Sequence, residues 1–231
     1  MNWNRFGVYY IPQPGALAEF GAAWLGWDLA KGCAVAQPHI DGIDVATITD
    51  RPRKYGLHAT IKAPFTLAAA VTEQDLTEAL GDFCASHQEL SIEGLHLTQI
   101  GRFLALTPKG DVSQLNTLAA AVVRSLDRFR APITTAEFDR KNRRNMSDRQ
   151  RQLLRQWGYA GVEEFFQFHI TLTGPIPDDV KDRVIDFLDG YLCPTIPAPL
   201  KIDGLSLCAE RTDGCFQQIA RFALNKAPNS L

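Results

Sequence analysis

The chain has 231 residues, 45% hydrophobic and 22% charged, an ordinary globular balance that sustains one large domain or two closely packed lobes. A formal charge of −2 excludes long-range attraction of the whole molecule to nucleic acid or anionic membrane, and no apolar run approaches the roughly 20 residues of a membrane-spanning helix. Five cysteines (Cys33, Cys84, Cys193, Cys208, Cys215) are odd in number and contain no CxxC pair; with no signal-peptide pattern over Met1–Gly15, they read as reduced thiols of a cytoplasmic protein.

Taken in order, Arg5–Ile11 reads as a first strand, stopped by Pro12 and Pro14. Residues 15–30 carry Leu17, Phe20, Trp24 and Leu25 at helical spacing, with Trp27 near the end and Gly32 as the stop. Residues 33–54 are broken by Pro38, Gly42, Asp50 and Pro52 and read as an irregular, lid-like loop, closed by Arg51, Arg53, Lys54 and Tyr55. Thr72 followed by Asp75 is an N-cap signal for a helix to about residue 86. Strands over 91–100 and 102–107 follow, then a helix over 112–130 with Leu115, Leu118, Val122, Leu126 and Phe129 on its buried stripe. Residues 139–155 hold seven basic side chains against two acidic ones, and 147–157 read as a short helix ending at Gly158. Strand 165–173, helix 178–192, strands 201–209 and 215–224 and a loose tail from Asn225 complete the chain.

One stretch organises the rest. In Gly56–Phe65, alternation puts Leu57, Ala59, Ile61 and Ala63 on one strand face and His58, Thr60 and Lys62 on the other. Phe168–Ile176 repeats the pattern, with His169, Thr171 and Thr173 sharing a face. A second pair, Ile92-Glu93-Gly94-Leu95 and Ile202-Asp203-Gly204-Leu205, follows His58 and His169 at nearly equal separation. Two motifs in the same order argue for a duplicated unit, with repeats at about 56–110 and 165–224 inside one bilobal body spanning 1–231. A pseudo-two-fold axis then sets two histidines and two threonines around one cleft.

Two imidazoles facing one cavity suit acid–base work near neutral pH, and threonine hydroxyls two residues along can hold phosphoryl oxygens. His39, His87 and His96 have no such echo, and the sequence contains no His-x-His, HExxH or Cys/His cluster for a metal. Lys62 offers a cation on one side only, since the second copy has neutral Thr173. Alternation lets one of Tyr9 and Tyr10 face the groove. Arg140, Lys141, Arg143 and Arg144 offer positive charge to an anionic substrate.

These motifs resemble the two-histidine (2H) phosphoesterase superfamily, which includes the LigT-like enzymes. The fuller pattern is similar to its phosphonate-metabolism-associated, carbon–phosphorus lyase operon branch. The matching stretches are Tyr9–Pro12, Phe20–Gly26, Tyr55–Phe65, Phe129–Pro132, Trp157–Tyr159 and Phe166–Gly174. The resemblance implies a bilobal α+β fold, with two antiparallel sheets flanking a central groove and helices outside. It implies phosphodiester chemistry without metal or other cofactor. His58 and His169 are then the acid–base pair and Thr60 and Thr171 the phosphate ligands. Lys62, Thr173, Tyr9, Tyr55, Arg53, Arg140, Arg143 and Arg144 are the candidate substrate-binding residues. The expected partner is a small cyclic phosphate, for which 5-phosphoribosyl 1,2-cyclic phosphate is the leading candidate. RNA 2′,3′-cyclic-end processing and a non-catalytic cyclic-phosphate-binding module are the alternatives. A nucleic acid partner is disfavoured by the overall charge, and no membrane partner is expected.

Overall fold

β1 (Phe6–Tyr10) forms from a run of aromatic and aliphatic residues, all of them buried. The computed structural model, which describes residues 2–226, continues into α1 (Ala16–Leu25). Gly26, at φ 74°, ends α1 in the left-handed conformation glycine tolerates. Trp27 therefore leaves the helix that the sequence extended to residue 30, and joins β2 (Trp27–Asp28), paired with β3 (Cys33–Ala34). The stretch expected to be irregular contains two single-turn helices, α2 (Val45–Ile48) and α3 (Asp50–Arg53). The first is capped by the Asp44 carboxylate, which accepts from the Thr47 N–H.

β4 (Ala59–Phe65) carries the first His-x-Thr motif, and α4 (Glu73–Ser86) follows with the full Thr72/Asp75 capping box. β5 (Leu90–Ile92), β6 (Gly94–Ile100) and β7 (Phe103–Lys109) lead to α5 (Ser113–Leu126), which buries the predicted leucine and valine stripe. The basic segment forms a helix absent from the sequence reading, α6 (Thr135–Lys141), before α7 (Asp148–Trp157), which Gly158 terminates. Strand β8 is only Ile170–Thr171; α8 (Asp178–Leu192), β9 (Leu200–Ile202), β10 (Gly204–Glu210) and β11 (Phe216–Ala223) complete the order. Asn225, expected in a loose tail, is tied down: its N–H donates to the His87 carbonyl and its carbonyl accepts from Glu89. Residues 227–231 of that tail lie outside the described residues.

The main sheet runs β11-β10-β1-β4-β8-β7-β6, and every pairing in it is antiparallel. It consists of two parts, β11-β10-β1-β4 and β8-β7-β6, which meet at the single pair Ala59↔Ile170. The strands of the two halves thus alternate: β8 of the second half lies against β7 of the first, while β4 of the first is joined to β10 of the second through β1. Equivalent motifs also meet. β5 pairs antiparallel with β9, Leu90 opposite Ile202 and Ile92 opposite Leu200. Each motif copy pairs with its own counterpart, as a two-fold axis through the contact requires. Helices cover the outer face, where Trp24, Leu76, Leu80, Leu115, Val184 and Leu188 belong to one continuous core.

Candidate active site

The pair Ala59↔Ile170 decides the geometry of the site. Both side chains are fully buried in the main core. Pleating therefore turns their neighbours, His58 and Thr60 on one strand and His169 and Thr171 on the other, to the opposite face. Antiparallel register sets His58 across from Thr171 and Thr60 across from His169. All four sequence-predicted residues of the two motifs are thus brought to one patch, and each is half-buried.

The two imidazoles are held alike. His58 Nδ1 lies 3.0 Å from the Gly56 carbonyl and His169 Nδ1 2.8 Å from the Gln167 carbonyl, each two residues back. A carbonyl only accepts, so each Nδ1 carries the proton and donates. Nε2 is then the ring nitrogen each histidine has left for chemistry. Neutral His58 Nε2 accepts from the Thr60 hydroxyl at 3.2 Å. Burial pushes the His58 imidazolium down to about 4, and the neighbouring His169 pushes it the same way, while the Gly56 carbonyl works against both. His58 is therefore neutral at physiological pH.

Aromatic rings supply that burial. Tyr9 lies 4.1 Å from the His58 ring, and Tyr55 stacks 5.8 Å from it. Phe216 backs both tyrosines, at 5.9 and 4.9 Å. Of the two candidate tyrosines it is Tyr9 that faces the site; Tyr10 belongs to the main core. The expected phenol in the groove is corrected, however. Tyr9 is fully buried, its hydroxyl included, and its ring packs against His58. Phe103, 6.2 Å from His169, and Phe216 escaped the sequence reading, because only the pairing of β7 with β8 and of β10 with β11 places them here.

Alternation fails at the same point in both copies. Between Thr60 and Lys62 the β1–β4 register shifts, so Ile61 and Lys62 are both buried. Lys62 pairs with core-facing Val8 and reaches α5, where its Nζ donates to the Val123 carbonyl and Asp127 Oδ1, each at 3.3 Å. In the second copy the Leu172 and Thr173 N–H groups both donate to the Leu104 carbonyl, and the Thr173 hydroxyl accepts from Leu104 N at 2.9 Å. Bulges of this kind occur beside active sites and re-aim side chains. Lys62 and Thr173, expected in the row with the histidines, are thereby turned away from it. Trp24 of α1 fixes the second bulge by donating its indole N–H to the Leu172 carbonyl at 2.8 Å.

The other predicted cations are dispersed. Arg53 is structural: its guanidinium donates to the Leu25 and Ala46 carbonyls and to Gln37 Oε1. Arg140, Arg143 and Arg144 lie exposed on and after α6, and among the described residues no recorded contact joins them to either histidine. Arg51 is exposed and passes beside Gly174, three residues beyond Thr171, and exposed Lys54 adjoins Tyr55.

The chain is 33% identical over 219 residues to the ribose 1,5-bisphosphate phosphokinase PhnN of Janthinobacterium sp. (strain Marseille), covering 91% of this chain and 48% of that protein. To the protein of the same name from Laribacter hongkongensis (strain HLHK9) it is 30% identical over 222 residues, covering 94% and 51%. The chain thus spans about half the length of the curated relatives it matches. Among solved structures, LigT of E. coli in apo form superposes with a TM-score of 0.50 at 15% identity, over 97% of this chain and 99% of that one. The fold is therefore that of the LigT-like 2H phosphoesterases. A family model described as "Protein of unknown function (DUF1045)" matches residues 60–217, more than half of the chain, and the chain belongs to that family.

Proposed function

We propose that the chain is a metal-independent cyclic phosphodiesterase that opens 5-phosphoribosyl 1,2-cyclic phosphate. The observation that carries this reading is the matched pair of Nδ1-anchored histidines, each two residues before a threonine, on one face of adjoining strands. His58, kept neutral by its aromatic surroundings, is the base: Nε2 takes a proton from water as the oxygen attacks phosphorus. His169, the less enclosed of the two, is the acid. It gives a proton to the sugar O2 as the P–O2 bond breaks. The Thr60 hydroxyl, turned from His58 Nε2 when substrate binds, and the Thr171 hydroxyl donate to the phosphoryl oxygens, where negative charge grows in the transition state.

The substrate follows from the product's chemistry. Breaking the P–O2 bond of that cyclic diester with one water gives ribose 1,5-bisphosphate, the compound that the relatives are named for. Those relatives are about twice as long. The present sequence has no G-x-x-x-x-G-K-[ST] run to cradle nucleotide phosphates, so the kinase step is assigned to their remaining half. Exposed Arg51 and Lys54 are the cations proposed to meet the substrate's 5-phosphate.

The test is a panel of cyclic phosphates with the position of the product phosphate identified by NMR. Ribose 1,5-bisphosphate is the expected product, and activity is expected to survive exhaustive chelation. Ribose 1,2-cyclic phosphate without the 5-phosphate should show a lower kcat/KM, and Arg51→Ala with Lys54→Ala should remove that preference. Equal kcat/KM for the two substrates, or strict dependence on a divalent ion, would overturn the proposal. Preference for a 2′,3′-cyclic oligonucleotide would move the assignment to RNA ends.

A further inference from the structure

Two stretches singled out in the sequence, Phe129–Pro132 and Trp157–Tyr159, take no part in the chemistry above, yet they close around one cavity with the end of β4. It measures about 180 Å³, and none of His58, Thr60, His169 or Thr171 lines it. Lys62, turned away from the histidines by the bulge, forms one wall. Arg130 and Lys141 line it too, with the Trp157 and Tyr159 rings.

The charges in this wall do not balance. Asp127 is shared by two cations: Arg130 donates to it at 2.8 and 3.1 Å, and Lys62 lies 3.3 Å away. Lys141 is neutralised by Glu137 at 2.7 Å. Three cations thus face two carboxylates, with Lys62 only 3% exposed. Desolvation pushes the Lys62 ammonium down to about 8, Asp127 only partly resisting, as expected of a buried cation lacking a full counter-charge. Donors also remain. Lys62 and Lys141 each have three N–H groups and two recorded acceptors; Arg130 has five and uses four.

We propose that this cavity is a second, non-catalytic site that binds the phosphate group of a small phosphorylated molecule, held by Lys62, Arg130 and Lys141 with its body against Trp157 and Tyr159. The phosphate supplies the missing negative charge and accepts the unused N–H groups. A buried cation of this kind costs stability while uncompensated, which gives the anion its affinity.

The experiment is calorimetric titration of the full chain with inorganic phosphate and with ribose 5-phosphate, alongside fluorescence of wild type and Trp157→Phe. Binding is expected to weaken about tenfold or more in Lys62→Met and in Lys141→Gln, a change matching loss of one charge-assisted hydrogen bond. It should persist in the His58→Ala/His169→Ala double variant, and the fluorescence change should vanish in Trp157→Phe. Tighter binding of ribose 5-phosphate identifies an ester as the occupant, and equal or tighter binding of inorganic phosphate identifies the free anion; both uphold the site. Should Lys62→Met fail to fold, Lys141→Gln at the rim carries the test alone. Binding that is lost in the histidine variant but unaffected by the lysine substitutions, or no binding up to millimolar concentrations, would overturn the proposal.

Discussion

At the scale of single residues, the two histidines share their Nδ1 anchors and differ in their surroundings. His58 sits among Tyr9, Tyr55 and Phe216, and its charged form is disfavoured down to about pH 4 against an ordinary 6.5. With His58 as the proposed base, kcat/KM should fall only below about pH 4, and His58→Ala should abolish that limb. His58→Ala and His169→Ala are each expected to lower kcat by about 10²–10⁴. The same shift is a stability statement. Between pH 6.5 and 4 the unfolded chain binds a proton at His58 that the folded chain does not. Stability from this group is intact above about 6.5 and is lost as pH falls toward 4, by up to about 3 kcal/mol. Urea unfolding of wild type and His58→Asn at pH 7 and pH 4.5 measures it; an unchanged difference between the two proteins would contradict the assignment. The orientation of the ring depends in turn on Gly56, whose carbonyl holds Nδ1. Its φ of 64° and the 2.6 Å approach of Leu29 Cβ to any added Cβ leave room for glycine alone. Gly56→Ala is expected to destabilise the fold by more than about 1 kcal/mol, and displacing the carbonyl that favours the charged ring should move the acid limb further down.

At the scale of elements, the bulges separate residues that a regular strand would keep together. Thr171 and Thr173 look alike in sequence, but Thr171 borders the site while Thr173 is 1% exposed and holds the Leu104 N–H. Thr171→Val should therefore lower kcat by about 10², in the range of a lost transition-state hydrogen-bond donor, with little change in stability. Thr173→Val should do the reverse: about 1–3 kcal/mol of stability is lost as a buried N–H goes unpaired, and kcat per folded molecule stays near wild type. Parallel activity and urea measurements on the two variants decide it, and equal effects on both quantities would count against the bulge. Helix boundaries follow a similar logic. The Thr72/Asp75 box and the Gly158 cap act locally and were readable, whereas Gly26 ends α1 early because the chain must turn Trp27 to donate its indole N–H to the Phe216 carbonyl.

At the scale of the whole molecule, the halves are interleaved. β8 of the second repeat lies on β7 of the first, β1 bridges β4 and β10, and β5 pairs with β9. Within the main sheet each repeat has only one hairpin of its own, β6–β7 or β10–β11, and every other pairing involves β1 or crosses between the repeats. The expected consequence is a single cooperative unfolding transition, with far-UV circular dichroism and tryptophan fluorescence coinciding. A fragment of residues 1–110 should stay unfolded alone, since β1 loses β10 and β7 loses β8. A well-dispersed NMR spectrum from that fragment would contradict this.

What the sequence determined by itself is whatever rests on local periodicity and on repetition. Apolar spacing and caps placed α4, α5, α7 and α8, and the doubled His-x-Thr pattern singled out His58, Thr60, His169 and Thr171 as candidates, which the strand pairing brings to one patch. These follow from interactions a few residues apart, or from comparing the chain with itself. Tertiary structure decided the rest. The orientation of Lys62 and Thr173, the burial of Tyr9, the arrival of Phe103 and Phe216, the fixing of Arg53 and the cavity beside Lys62 all depend on which strand lies next to which. A one-residue bulge inverts every side chain beyond it, and strand order and register are set by packing between segments from about 50 to about 200 residues apart.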